Sequence, residues 1–182
     1  MKTWGEKTKV EIGNKSPRPD DWVTVNLDKS TQPTVNAPAT KIPLEDDFAD
    51  LVYASHILEH LDYGNRHPSA YAALKEWWRI LKPGGTLMVG VPDLEVLCEL
   101  YLKGSTADRV MIMRMMMGGH LNEWDYHYAG YDQNLLASYL SYSGFENIER
   151  VRDFGLFTDD CTTLEYKNTP ISLNLKATKC ST

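Results

Sequence analysis

Hydrophobic and polar positions along this chain switch between a two-residue and a 3.6-residue period, and the switches mark its elements. Val10-Glu11-Ile12 is a short alternating run closed by Gly13, which predicts a strand followed by a turn-rich segment to Asp21. Trp22-Val23-Thr24-Val25-Asn26-Leu27 is β-branched and aromatic, a stronger strand pattern. Thr34-Val35-Asn36, just before Pro38, predicts a weaker one. Leu51-Val52-Tyr53-Ala54 is apolar at every position, as a central parallel strand covered on both faces should be.

Helical spacing follows. Ser69 can cap a helix carrying Leu74, Trp77, Trp78 and Leu81, ended by Lys82-Pro83-Gly84-Gly85. Thr86 to Val91 returns to strand character. Pro92-Asp93 then precedes a helix with Leu94, Leu97, Cys98 and Tyr101 on one face. Asp132 can cap a further helix with Leu135, Leu136, Tyr139 and Leu140, closed by Gly144. Asn147 to Phe154 and Ile171 to Lys179 read as two closing strands. Alternation ending in a strand pair predicts an α/β fold, a mostly parallel sheet with an antiparallel C-terminal edge strand.

Composition narrows the function classes. With 182 residues the chain has the size of one domain, expected to span 1–182. Nineteen basic against twenty-five acidic side chains give a net charge of −6, which argues against nucleic acid and against a polybasic membrane anchor. No apolar run is long enough to span a membrane, and Met1 to Lys9 carries no signal-peptide core. Cys98, Cys161 and Cys180 are too few and too scattered for a disulfide framework or a zinc site, which predicts a reducing, cytoplasmic setting. Self-association as a homodimer is compatible with this composition.

In open α/β sheets, ligands bind beyond the carboxyl ends of the strands, where strand order reverses. The stretch Phe48-Ala-Asp-Leu-Val-Tyr-Ala-Ser-His-Ile-Leu-Glu-His-Leu61, a helix, and then Leu81-Lys-Pro-Gly-Gly-Thr-Leu87 resembles the class I S-adenosylmethionine-dependent methyltransferases. Ile42-Pro43-Leu44 and Gly144-Phe145 are similar to that family as well. The resemblance implies a Rossmann-like sheet and S-adenosyl-L-methionine as cofactor, with no metal required. It places Gly13, Asn14, Asn26, Asp28, Ala39, Ser55 and His56 around the cofactor. Three positions depart from the family pattern: Lys15 replaces a second glycine, Asn26 stands where an acid usually meets the ribose, and Pro38 where an Asp usually meets the adenine. The resemblance also implies that the acceptor side is formed mainly by residues 104–132. With only Met1 to Lys9 before the first predicted strand, the N-terminal helices that often cover the cofactor in that family are not expected in this sequence.

His56-Ile57-Leu58-Glu59-His60 also fits the H-x-x-E-H spacing of inverted zinc proteases. On a helix His56 and His60 would share a face. The pattern follows a buried strand, however, where similar methyltransferases carry a Ser-x-x-Leu-Glu-His turn, so local capping or pairing is the expected role of Glu59 and His60. Met111, Met113, Met115, Met116 and Met117 predict a helix packed over the sheet. The next segment, 118–132, combines two His, two Asp, Glu123 and several aromatics. Here His127 is the expected general base, oriented by Asp125, with His56 also on the catalytic rim and His120, Trp124 and Tyr128 contacting substrate. Asp125, His127 and Asp132 could also contribute metal ligands, although no spacing demands it. The expected reaction is O-methylation of a sugar or glycan hydroxyl, with a small-molecule or glycan acceptor as partner. The alternative is a non-catalytic module of the same fold that binds a protein or glycan.

Overall fold

The computed structural model describes residues 8–64, 69–158 and 160–180; most of the Met1 to Lys9 segment therefore lies outside the described residues. Seven strands form the main sheet: β1 (Lys9–Ile12), β2 (Trp22–Asn26), β3 (Val35–Asn36), β4 (Ala49–Ser55), β5 (Leu81–Pro92), β6 (Phe145–Val151) and, after a small hairpin of β7 (Glu165–Tyr166) and β8 (Thr169–Pro170), β9 (Ser172–Lys179). Their order is β3-β2-β1-β4-β5-β9-β6. Strands β1 to β5 pair in parallel, and β9 runs antiparallel to both β5 and β6. The antiparallel element is therefore the C-terminal strand, as expected, but it inserts between β5 and β6 and leaves β6 at the edge. The reversal of strand order between β1 and β4 creates the crevice where this topology binds ligands.

The two-residue period sorts the faces. Val10, Ile12, Val23, Val25, Val52, Ala54, Leu87 and Val89 point to one side, against α1 (Ala70–Ile80) and α4 (Gln133–Tyr142). Helix α1 presents Ala73, Leu74, Trp77 and Ile80, all fully buried, and Ser69 caps it by accepting from Ala72 N–H. The other face carries Trp22 and Tyr53, packed with Phe154, Leu156 and Phe157. No helix covers this face at β1 and β2: residues 13–21 and 27–34 connect three parallel strands with turns and one 3-10 turn. An aromatic cluster from residues 154–157 takes that place, and a buried ion pair of Arg18 on Glu11 (2.6 Å) lies beside it, with the guanidinium 3.8 Å over the Phe157 ring.

Two boundaries differ from the sequence pattern. Helix α1 ends at Ile80, and β5 starts at once with Leu81; Lys82 to Gly85 bulge out, since Leu81 pairs with Ala49 and Thr86 with Leu51. Gly85 fits that bulge because a Cβ would crowd the Lys82 carbonyl at 2.8 Å. The methionine run lies in α3 (Thr106–Met117), which packs on α2 (Leu94–Lys103) rather than flat on the sheet. Only Ile112 of α3 is fully buried, while Met111, Met113 and Met117 are exposed.

Candidate active site

A cleft of about 670 Å³ opens beyond the carboxyl ends of β1, β2 and β4. One wall is made by the loops after those strands and after β3, and the opposite wall by residues 122–128. Gly13, at φ +78°, turns the chain out of β1, and a side chain there would run into Ile57 from the loop after β4. The first wall thus depends on glycine through both conformation and close approach. Gly13 N–H donates to Val25 C=O at 2.8 Å, which fixes the loop to β2.

The expected cofactor residues are mostly gathered here. Gly13, Asn14, Asn26, Asp28, Ala39 and His56 all line the cleft. Asn14 is fully buried; its Nδ2 donates to Ser16 and Thr31 carbonyls at 3.2 and 3.1 Å, while its Oδ1 has no hydrogen-bond partner among the described residues. Asn26 is spent on architecture: Nδ2 donates to Asn14 C=O at 2.8 Å and Oδ1 accepts from Asp28 N–H at 3.0 Å. Asp28 accepts from Ser30 N–H through Oδ1, and the side chain of Ser30 together with that N–H holds its carboxyl below the usual carboxylate range. The Ala39 carbonyl accepts from Trp77 Nε1 at 3.0 Å, anchoring the third loop on α1. Ser55 points elsewhere, into a small crevice shared with Tyr53 and Asp160.

This cradle fits S-adenosylmethionine. It provides a glycine turn at the switch point, an orphaned buried acceptor on Asn14 and the Asp28 carboxylate on one wall. The Pro38 departure costs a side-chain acceptor, but residues 37–40 still line the cleft.

The turn after β4 carries the second group of residues. His56 adopts a left-handed conformation at φ 53°, and its N–H donates to Gly90 C=O at 2.8 Å, tying the turn to β5. Its Nε2 lies 3.0 Å from Ser172 Oγ, which itself donates to the Cys161 carbonyl. Burial pushes the His56 imidazole down to about 3. Leu58–His60 form a 3-10 turn, so His56 and His60 do not share a face; His60 turns instead toward the 120s loop, where Nδ1 meets Tyr126 C=O at 2.9 Å. The helical pairing that a zinc reading of H-x-x-E-H would need is not formed.

Glu59 is the outlier. It is 1% exposed, and neither carboxylate oxygen has a hydrogen-bond partner among the described residues; Oε1 lies 3.3 Å from His56 Nδ1. Burial pushes its carboxyl up to about 8. Its backbone is well used, because Glu59 C=O accepts from Tyr128 N–H (2.8 Å) and Ala129 N–H (3.2 Å), clasping the two walls together. Local capping therefore describes the Glu59 backbone and leaves its side chain unexplained.

On the opposite wall, Gly118 and Gly119 let the chain fold tightly back on Asp125. Asp125 accepts from Leu121 N–H at 3.2 Å and from Gly119 N–H, and these contacts outweigh burial to lower its carboxyl. Asp125 is thus the organiser of its own loop, and the described hydrogen bonds do not connect it to the His127 ring. That ring packs edge to face on the His60 ring, and burial pushes it down to about 4. Trp124, Tyr128 and His127 line the cleft, whereas His120 stands outside it, stacked on Tyr126 with Nε2 2.9 Å from Met117 C=O. Asp132 caps α4 through Leu135 N–H and is no part of the cleft lining.

Sheet order and cleft position are those of a class I methyltransferase fold. Residues 15–89 match the family model described as a methyltransferase domain. Over 57 residues the chain is 42% identical to the ubiquinone/menaquinone biosynthesis C-methyltransferase UbiE of Neisseria gonorrhoeae, covering 31% of this chain and 21% of that relative's length. Among solved structures, an S-adenosylmethionine-dependent methyltransferase of Archaeoglobus fulgidus aligns with a TM-score of 0.60 at 15% identity, over 97% of this chain and 87% of that one. One from Methanosarcina mazei aligns with a TM-score of 0.60 at 14% identity, over 96% and 92%. The chain therefore shares the fold of these S-adenosylmethionine-dependent methyltransferases and is similar to a methyltransferase domain over residues 15–89. Among the described residues no helix is long and apolar enough to cross a membrane.

Proposed function

We propose that the protein transfers a methyl group from S-adenosylmethionine to a hydroxyl of a sugar or glycan. The carrying observation is one continuous cleft with a cofactor-type wall after β1, β2 and β3 and an aromatic, histidine-bearing wall at 122–128. When bound, the cofactor supplies an electrophilic methyl group. Asp28 accepts from the ribose hydroxyls, and the 37–40 loop, held by Trp77, lies along the adenine. Trp124 and Tyr128, about half exposed on the far wall, offer flat apolar surface to a sugar face. His127 takes the proton of the acceptor hydroxyl, and edge-to-face packing on His60 fixes the ring's orientation. Glu59 joins both walls through its carbonyl, so the nucleophile is held in line with the methyl donor.

Acceptor class is drawn from the aromatic wall and the histidines. The gonococcal relative is named for C-methylation, but the match covers 21% of its length. The same reading places the reaction in the cytoplasm, where the free thiols of Cys98, Cys161 and Cys180 persist. A module that keeps the fold without catalysis is favoured by one observation: the Asn26 amide is consumed by loop contacts and is not free for a ribose.

Calorimetry and thermal shift with S-adenosylhomocysteine separate the two. Ligand at about 100 times its dissociation constant should add about 2.7 kcal/mol of stability. Absence of any shift at millimolar ligand would end the enzyme reading. With binding established, transfer of labelled methyl to a panel of sugars tests the acceptor. His127→Ala should keep cofactor affinity while losing about 10²–10⁴ in rate.

A further inference from the structure

Where the two walls meet, Glu59, His60 and His127 bring one ligand-type atom each to within 4.8 Å of one another, and all three line the cleft. Two independent features say what this corner lacks. The first is the Glu59 carboxylate, 1% exposed and, among the described residues, without a hydrogen-bond partner on either oxygen, Oε1 lying 3.3 Å from His56 Nδ1. A buried acceptor left without a donor is costly, and an unpaired buried charge more so. The ammonium of Lys15 donates to Cys161 Sγ, and none of its hydrogens reaches a Glu59 oxygen.

The second feature is the state of the imidazoles. His60 Nδ1 faces the Tyr126 carbonyl, which only accepts, so Nδ1 carries the hydrogen and Nε2 keeps a free lone pair. The His127 ring packs edge to face on the His60 ring, and one of its nitrogens belongs to the same close group. A backbone carbonyl behind a ring, as Tyr126 C=O stands behind His60, is an arrangement that orients metal-ligating histidines.

We propose that Glu59, His60 and His127 bind one divalent first-row transition cation, with zinc the best match. Two imidazole nitrogens and one carboxylate oxygen suit zinc, whereas magnesium and calcium favour all-oxygen sets. Bonds of about 2.0–2.2 Å require the three side chains to close in slightly by rotation. The cation would neutralise Glu59 and keep a fourth position open to the cleft. An acceptor hydroxyl bound there would lose its proton more readily, and His127 would act as ligand rather than base. The site needs only these three side chains and goes beyond the methyl-transfer reading without depending on it.

The test uses the full chain, stripped with a chelator and free of cofactor. One equivalent of Zn²⁺ should bind by calorimetry, and Co²⁺ should develop the visible absorption of a low-coordinate site that Zn²⁺ then displaces. Glu59→Gln and His127→Gln should each weaken binding by about tenfold to a hundredfold or more. Cys98→Ser and Cys161→Ser should leave it unchanged. Circular dichroism in chelator checks folding, and His60→Gln serves as a third ligand variant should either of the others not fold. Lack of saturable binding up to millimolar Zn²⁺, or binding that the ligand variants leave intact, overturns the site. S-adenosylhomocysteine titration of the same sample keeps the two readings apart: a protein that binds that nucleoside and no zinc loses the cation site alone.

Discussion

The rings of His60 and His127 meet edge to face, with centroids 4.7 Å apart and planes at 85°. One ring comes from the turn after β4 and the other from the loop between α3 and α4, so the contact joins the two walls of the cleft. Backbone contacts hold it: His60 Nδ1 meets Tyr126 C=O, His127 N–H donates to Met117 C=O at the end of α3, and Tyr128 and Ala129 N–H donate to the Glu59 carbonyl.

Asp28 carries the first prediction. Its Oδ1 is engaged by Ser30, and as a cleft-lining carboxylate it is the group placed to accept from ribose hydroxyls. Asp28→Ala should raise the S-adenosylhomocysteine dissociation constant by about tenfold, since charged acceptors make the stronger hydrogen bonds. Isothermal titration measures this, and an unchanged constant moves the ribose contact elsewhere.

Gly13→Ala should lower the melting temperature and weaken cofactor binding together. The φ of +78° disfavours any side chain, and the new Cβ would strike Ile57. Adding Ile57→Ala should relieve the clash but not the backbone strain, giving partial recovery in a thermal melt. Complete recovery would show that conformation at residue 13 costs nothing.

Trp77 links the core to the third loop. It is fully buried on α1 and donates to the Ala39 carbonyl at 3.0 Å. Trp77→Ala should cost about 3–5 kcal/mol in denaturant unfolding, the range for deleting a large buried aromatic. Trp77→Phe keeps much of the packing but orphans the carbonyl, for a loss of about 1–3 kcal/mol. Equal losses for the two would mean that the hydrogen bond carries the whole effect.

Asp108 gives a pH dependence. It caps α3 with Ser105, accepts from Tyr166, and pairs with Lys167 at 2.7 Å, contacts that hold its carboxyl well below the usual range. A depressed folded value contributes stability above the unfolded value of about 3.9 and loses it as pH falls. Wild-type protein should therefore lose more stability than Asp108→Asn on acidification below about pH 4. Parallel acid titrations followed by circular dichroism would overturn this if the two curves keep a constant separation.

Local chemistry made the fold class legible. The β-branched run Trp22 to Leu27, the capped α1 pattern and the apolar Leu51 to Ala54 each pay for their own conformation with nearby residues, so period and caps reveal them. Gly13, Asn14, Asn26 and Asp28 were also within reach, because strand ends in this topology converge on one crevice. What sequence spacing leaves open is which side chain is already occupied. Asn26 and Asp125 look free in the sequence and are spent on loop backbone. His120 shares its segment with His127 but falls outside the cleft, because Gly118 and Gly119 fold that stretch back on Asp125.

The sequence by itself determined the strands, the helices and the resemblance to methyltransferases, since these rest on short-range periodicity and a local motif. Only tertiary structure decided the partners of Glu59-His60. The H-x-x-E-H spacing suggests a helical pair, but a 3-10 turn points His56 back to Ser172 and His60 across to His127. Burial of Glu59 depends on the 126–129 backbone that closes over it, and β9 reaches its place between β5 and β6 through long-range pairing. Desolvation and cross-chain contact are properties of the assembled core, so no reading of neighbours along the chain could supply them.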